Sequence, residues 1–208
     1  MWAQVEMQSL AETLHAAGPD RDTLCAGWRT RHLAAHLYLR AHQPWQLLGL
    51  VSGGGVAELA QQCQDPARYH ELVDAFTGPV RGPWRLSRSR VLDDLTNLVE
   101  YVVHHEDVRR AGPDPAPPRS LPPEQRAQVW AKFARTALGF YLSAPVGVLL
   151  MVPGAPTFRA RPGGDPVRVV GEPVEQALYA MGRRPQAQVE LRGSTTQVEK
   201  LRRWAAGR

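Results

Sequence analysis

Lysine is nearly missing from this chain. Of 25 basic residues only Lys132 and Lys200 are lysine, which leaves 23 arginines. Together with 18 glycines, 18 prolines and abundant alanine, that skew is what a GC-rich coding sequence produces. The net charge of +5 is therefore not by itself the footprint of a nucleic-acid binder. The arginines are scattered, apart from pairs such as Arg109-Arg110, Arg183-Arg184 and Arg202-Arg203. No basic stripe with interleaved aromatics and no nucleic-acid module occurs, which argues against nucleic acid as a partner. Cysteine is equally scarce. Cys25 and Cys63 build no disulfide framework and lack CxxC metal spacing, so each is expected to be an ordinary small residue. Long hydrophobic runs are missing too: the longest covers residues 146–152, far short of the roughly 20 residues of a membrane span. The first residues carry neither a basic start nor an apolar stretch, so the expected location is the cytoplasm, with no membrane partner. What is present is globular, with 43% hydrophobic and 22% charged residues.

The first two-thirds of the chain reads as helix. Val5, Leu10 and Leu14 recur at near-helical spacing over residues 1–17, and Gly18-Pro19-Asp20 ends that segment. After a turn-rich stretch through Gly27-Trp28, Thr30 is placed to cap a second helix reaching about residue 50, with Leu33, His36 and Leu37 on one face. Shorter helical character covers 66–76, and a clear helix runs from about 87 to 111. Its stripe is Leu92, Leu95, Val99 and Val103. The proline-rich stretch 113–123 cannot be helical, and Pro122-Pro123 opens a further helix to about 142. Beyond Pro145 short β-like runs alternate with Pro-Gly punctuation, then a helix over 172–181, a strand over 187–191 and a terminal helix over 196–205. The predicted architecture is a mainly α region, residues 1–145, followed by a small α+β domain, residues 146–208.

Seven histidines are few enough to weigh singly. His15, His42 and His70 sit in polar settings and read as surface residues. The others fall in two clusters. His32 and His36 are four apart on one helix face, as are Glu100 and His104. Stepping back from His104 in fours gives Glu100 and Thr96, alongside the apolar Val103, Val99 and Leu92. A carboxylate in an apolar stripe is costly to bury unless it is paired or bound to a metal. Both readings stand on this segment alone: a Glu–His ion pair, or part of a metal site. His36, flanked by Leu33 and Leu37, supplies a third donor if the two helices are neighbours. Three N/O ligands with an open position describe a catalytic divalent-metal site, and helix bundles commonly build such sites from facing side chains. His105 is 100° around the helix from His104, so both cannot face one ion. Asp107 either orients the His104 ring or is a solvated partner of Arg109 or Arg110. His32, one turn before His36, is within range of the same site.

The stretch from Leu24-Cys25-Ala26-Gly27-Trp28 to Leu33-Ala34-Ala35-His36-Leu37 resembles the GW-x-x-(R)-x-L-x-x-HL signature of the DinB-like metal-binding superfamily. It is closest to the branch containing the mycothiol-dependent maleylpyruvate isomerases. Glu100 to Arg110 is similar to that branch's second signature, an E-x-x-x-H with an Asp-containing tail. The segment from Val169-Val170-Gly171-Glu172 to Gly182-Arg183-Arg184 resembles its small C-terminal domain. The resemblance implies a DinB-like four-helix bundle followed by the α+β domain, with His36, Glu100 and His104 as metal ligands. It also implies zinc as the usual divalent metal, and a low-molecular-weight thiol such as mycothiol that the metal activates for isomerisation or S-transfer to an electrophilic substrate. Some such relatives only bind metal or a small ligand without turnover. Arg183 and Arg184 then either bind carboxylates of the thiol cofactor or lie on the surface. A monomer or homodimer is expected.

Overall fold

In a computed structural model the described residues are 2–43, 55–79 and 90–207, with side chains of 90–96 left aside. They hold eight helices and a four-stranded sheet in two units, residues 1–119 and 120–208. The second helix ends at His42, with Gln43 as its C-cap, and not near residue 50; the start of the long helix near 87 and the Leu92, Leu95 and Thr96 side chains lie outside the described residues.

The first unit carries α1 (Trp2–Ala17), α2 (Thr30–His42), α3 (Gly55–Gln62), α4 (Pro66–Thr77) and α5 (Arg90–Arg109). Helix α1 packs along α5, and α2 along α3 and α4. Leu10, Leu14, Leu33, Leu37, Tyr69, Val73 and Phe76 form the core, with Tyr101 and Val108 of α5 in the same cluster. Two expectations change here. Val5 is 49% exposed while its neighbour Glu6 is buried, because Glu6 meets the His105 ring on α5 and the Arg119 guanidinium, which an apolar residue would leave unpaired. Thr30 is not the cap of α2 but its first residue, after the N-cap Arg29. Its hydroxyl donates to the Gly18 carbonyl and its amide to the Arg21 carbonyl, so it ties α2 to the end of α1. The short helix α3 was not expected from the sequence pattern.

The second unit holds α6 (Pro123–Tyr141), β1 (Val148–Met151), β2 (Phe158–Arg161), β3 (Val167–Val170), α7 (Pro173–Ala180), β4 (Glu190–Arg192) and α8 (Thr195–Ala206). Strand order is β2-β1-β3-β4, with β1 and β3 parallel and both outer pairs antiparallel. Gly147 and Gly163 pass so closely that a Cβ on Gly163 would sit 2.7 Å from the Gly147 nitrogen, a contact only glycine permits. Whereas composition changes at 145/146, the division falls at 119/120. The reason lies in α6: its buried stripe of Val129, Phe133, Ala137 and Tyr141 packs with α7 and β2.

Candidate metal centre

Two helices and one loop assemble the site. Residues 22–29 form the loop: the Trp28 amide donates to the Cys25 carbonyl at 2.9 Å, closing a turn whose third residue, Gly27, has φ +76°. A side chain there would be strained, and glycine is the usual solution. The turn brings the Trp28 ring within 5.4 Å of the His36 ring on α2. The Leu24 amide donates to the Asp107 carbonyl at 3.0 Å, which anchors the loop on α5.

His36, Glu100 and His104 come together. His36 Nε2 lies 3.2 Å from Glu100 Oε1, and His104 Nε2 lies 3.7 Å from the same oxygen. The two imidazoles meet edge to face at 5.3 Å. The other Glu100 oxygen, Oε2, is paired with Arg40, which also donates to Asn97 Oδ1 at 3.3 Å. Behind His104, Nδ1 is 2.9 Å from Asp107 Oδ2, and that oxygen also accepts from Cys25 Sγ at 3.2 Å. Asp107 is fully buried.

The electrostatics follow from this packing. Burial favours the neutral form of Glu100, yet hydrogen bonds with His104 and His36 and the Arg40 charge outweigh it and hold the carboxyl down at about 2. Burial likewise disfavours a charged His104, but Asp107, Cys25 and Glu100 together raise its pKa well above the usual imidazole range. Without a cation, His104 is thus an imidazolium between two carboxylates. A metal entering there must displace the Nε2 proton, while Nδ1–H stays on Asp107.

The donor set fits a divalent ion. Ligand atoms about 2.0–2.1 Å from a tetrahedral zinc lie about 3.3 Å from one another, and the carboxylate-to-imidazole separations of 3.2 and 3.7 Å bracket that value. All three ligand atoms lie within 4.8 Å of one another, as do those of a second group, Cys25, His104 and Asp107. The second group shares His104 through its other nitrogen, and its contacts are the hydrogen bonds that set the ring.

The remaining predicted residues fall elsewhere. The His32 ring accepts from the Arg29 amide at 3.1 Å and serves the start of α2. His105 faces away from the cluster, with Nδ1 2.8 Å from Glu6 Oε1 and Nε2 2.8 Å from Thr13 Oγ1. Arg109 and Arg110 both pair with Glu106. His15 and His70 are stacked, 2.7 Å apart between their Nδ1 atoms, and His15 reaches Asp74 at 3.0 Å. His42 stacks on Tyr38. Cys25 is no bystander, since it supports Asp107. In the second unit Arg183 donates to the Met181 carbonyl at 2.6 Å, while Arg184 lines a cavity. Sequence reasoning missed Arg40 and Asn97. The signal was available: Arg40 follows His36 by four and Asn97 precedes Glu100 by three, so each shares its ligand's helix face.

Among the described residues no helix is long and apolar enough to cross a membrane. No family model matches the chain, and no curated protein matches it. Among solved structures the chain is similar to a crystal structure of the mycothiol-dependent maleylpyruvate isomerase, at 20% identity and a TM-score of 0.48. It is also similar to a histidine-to-alanine mutant of that enzyme, at 19% identity and a TM-score of 0.49. Each comparison covers 93% of this chain and 90% of the other.

Proposed function

We propose that this chain binds one divalent metal ion, most simply zinc, through His36, Glu100 and His104, and is a mycothiol-dependent isomerase or S-transferase. The observation that carries the reading is the convergence of two imidazole Nε2 atoms and one carboxylate oxygen from α2 and α5. The signature segments around Gly27-Trp28 and His36, and from Glu100 to Asp107, support the DinB-like assignment, with α1, α2, α4 and α5 as the four bundle helices.

Bound there, a divalent ion would stabilise the thiolate of a small thiol at neutral pH, the form that attacks electrophiles. The chain's own residues supply the rest. Asp107 holds the His104 ring by its Nδ1 proton, so Nε2 is the face left for a ligand. Arg40 holds the second Glu100 oxygen, which leaves Oε1 turned toward both imidazoles. Trp28 lies tilted against the His36 ring.

A second reading, metal or small-ligand binding without turnover, is favoured by one feature. Arg40 on Glu100 and a protonated His104 already neutralise the cluster as an ion network. Elemental analysis of untagged protein from metal-replete medium separates metal binding from the ion network: stoichiometric metal is expected, and metal-free protein overturns the site. Cobalt substitution then tests the thiol. Mycothiol should produce an intense near-ultraviolet thiolate-to-cobalt band that its S-methylated analogue does not, and no band with either leaves only the non-catalytic reading.

A further inference from the structure

The end of α7, the segment over residues 182–191 and α8 border an open cavity of about 710 Å3 in the second unit, within the usual range for a small-molecule site. Its walls mix two chemistries. Ala187, Val189, Leu191 and Ala205 are apolar, while Arg184 and Arg202 bring positive charge.

The charged end is built rather than incidental. The Arg184 guanidinium lies 5.9 Å from the Tyr179 ring centre and 6.0 Å from that of Trp204. Cation–π contacts of this kind fix a long side chain that would otherwise lose entropy on binding. Trp204 is itself seated: it stacks on Tyr141 at 6.1 Å and donates from Nε1 to Ser143 Oγ at 3.3 Å. Tyr179, Arg184 and Arg202 line the same cavity, and both cations oppose the upward push of burial on the Tyr179 hydroxyl. The fully buried Tyr141 hydroxyl has no hydrogen-bond partner among the described residues and lies within electrostatic reach of Tyr179 and Arg184.

We infer that this cavity is a binding site for a small organic carboxylate, its head on the Arg184 and Arg202 guanidinium groups and its apolar body against Val189, Leu191 and Ala205. A guanidinium fork matches a carboxylate in two parallel hydrogen bonds. The third charge in the lining is Glu190, which accepts from Arg192 at 2.6 Å. It leaves the cavity a small positive excess that suits one negative charge better than the two of a phosphate. Every residue in the inference belongs to the second unit, and the inference does not rest on the metal reading.

Calorimetry on the full chain tests it, with 4-phenylbutyrate and octanoate as aromatic and linear carboxylates, 4-phenylbutyramide as the uncharged control, and inorganic phosphate. At least one carboxylate should bind once per chain and shift the Trp204 indole resonance, identified by its loss in Trp204→Phe. The amide should bind about tenfold more weakly, the scale of one charge-assisted hydrogen bond. Arg184→Gln and Arg202→Gln should each weaken the carboxylate by a similar factor, Glu190→Gln should tighten it, and His36→Ala should leave it unchanged. Arg202 is exposed, so R202Q carries the test even where R184Q fails to fold. Equal binding of amide and carboxylate, equal binding of phosphate, or no binding by either carboxylate at millimolar concentration overturns the inference.

Discussion

Helix α5 carries charge into the first unit on two faces, and the faces are built to opposite ends. On one, His105 meets Glu6 of α1, Arg109 and Arg110 meet Glu106, and Arg119 bridges the two carboxylates. Each carboxylate there faces more than one cation or donor: Arg119 alone reaches Glu6 at 2.7 Å and Glu106 at 2.5 Å. On the other face, Glu100 draws two imidazoles onto one oxygen. The first arrangement is closed by long guanidinium groups that saturate acid oxygens, and it fastens the 110–119 segment to the helix pair. The second converges on shared space. Buried charge alone is thus a poor marker of function; the number of nitrogen lone pairs that can aim at one point is the better one.

Swapping the damage between the two faces gives the largest effect. His36→Ala or His104→Ala should abolish stoichiometric metal, weakening it by more than the roughly 100-fold typical of losing a merely supporting residue. Glu106→Gln should instead cost about 3–5 kcal/mol of stability, because three arginines lose their shared partner. Its metal content per folded chain should not change. Denaturant melts paired with elemental analysis read both, and a metal-depleted Glu106→Gln would erase the distinction.

Acid should expose the closed face next. Burial disfavours the ionised Glu6, but hydrogen bonds with His105 and Arg119 and the Arg119 charge bring it down from 4.5 to about 2. Because the folded value lies below the unfolded one, the stabilisation is complete above about 4.5 and is lost as pH falls toward about 2. Across that window wild type should lose about 3 kcal/mol more than Glu6→Gln, measured by urea unfolding at a series of pH values.

Asp107 offers a smaller, sharper effect on the convergent face. Asp107→Asn should weaken metal binding by about 10–100-fold while leaving the three ligands in place, a change that competition with a chromophoric chelator resolves. Smallest of all is Cys25, whose thiol gives Asp107 one weak hydrogen bond. Cys25→Ala should weaken metal binding only several-fold, on the order of 1 kcal/mol or less, and Cys25→Ser should restore most of it by replacing the donor.

Periodicity carries most of the helix pattern in this chain. The apolar spacing in α1 and α6 and the Gly-Pro stops after α1 and α5 are local properties, as is the pairing of Glu100 with His104 one turn apart. The short strands between Pro-Gly turns are legible for the same reason. Other features are not local. Val5 and Glu6 exchange places because α1 is rotated to meet α5, and no property of α1 alone sets that rotation. Helix α6 belongs with the sheet because its apolar stripe finds α7 and β2, a pairing that composition does not encode. Spacing puts Arg40 and Asn97 on the ligands' helix faces, but it is proximity across 57 residues that pairs them, and proximity across 82 that brings Cys25 to Asp107.

By itself, then, the sequence determined which turns of which helices offer metal-ligating atoms, because a helix repeat of 3.6 residues puts positions four apart on one face whatever surrounds them. Tertiary structure alone decided that His36 reaches Glu100, that Asp107 rather than solvent holds His104, and that His105 with Glu106 closes onto arginines. Those outcomes depend on the rotation and approach of α1, α2 and α5, which are set by the summed packing of the core and not by any short run of residues.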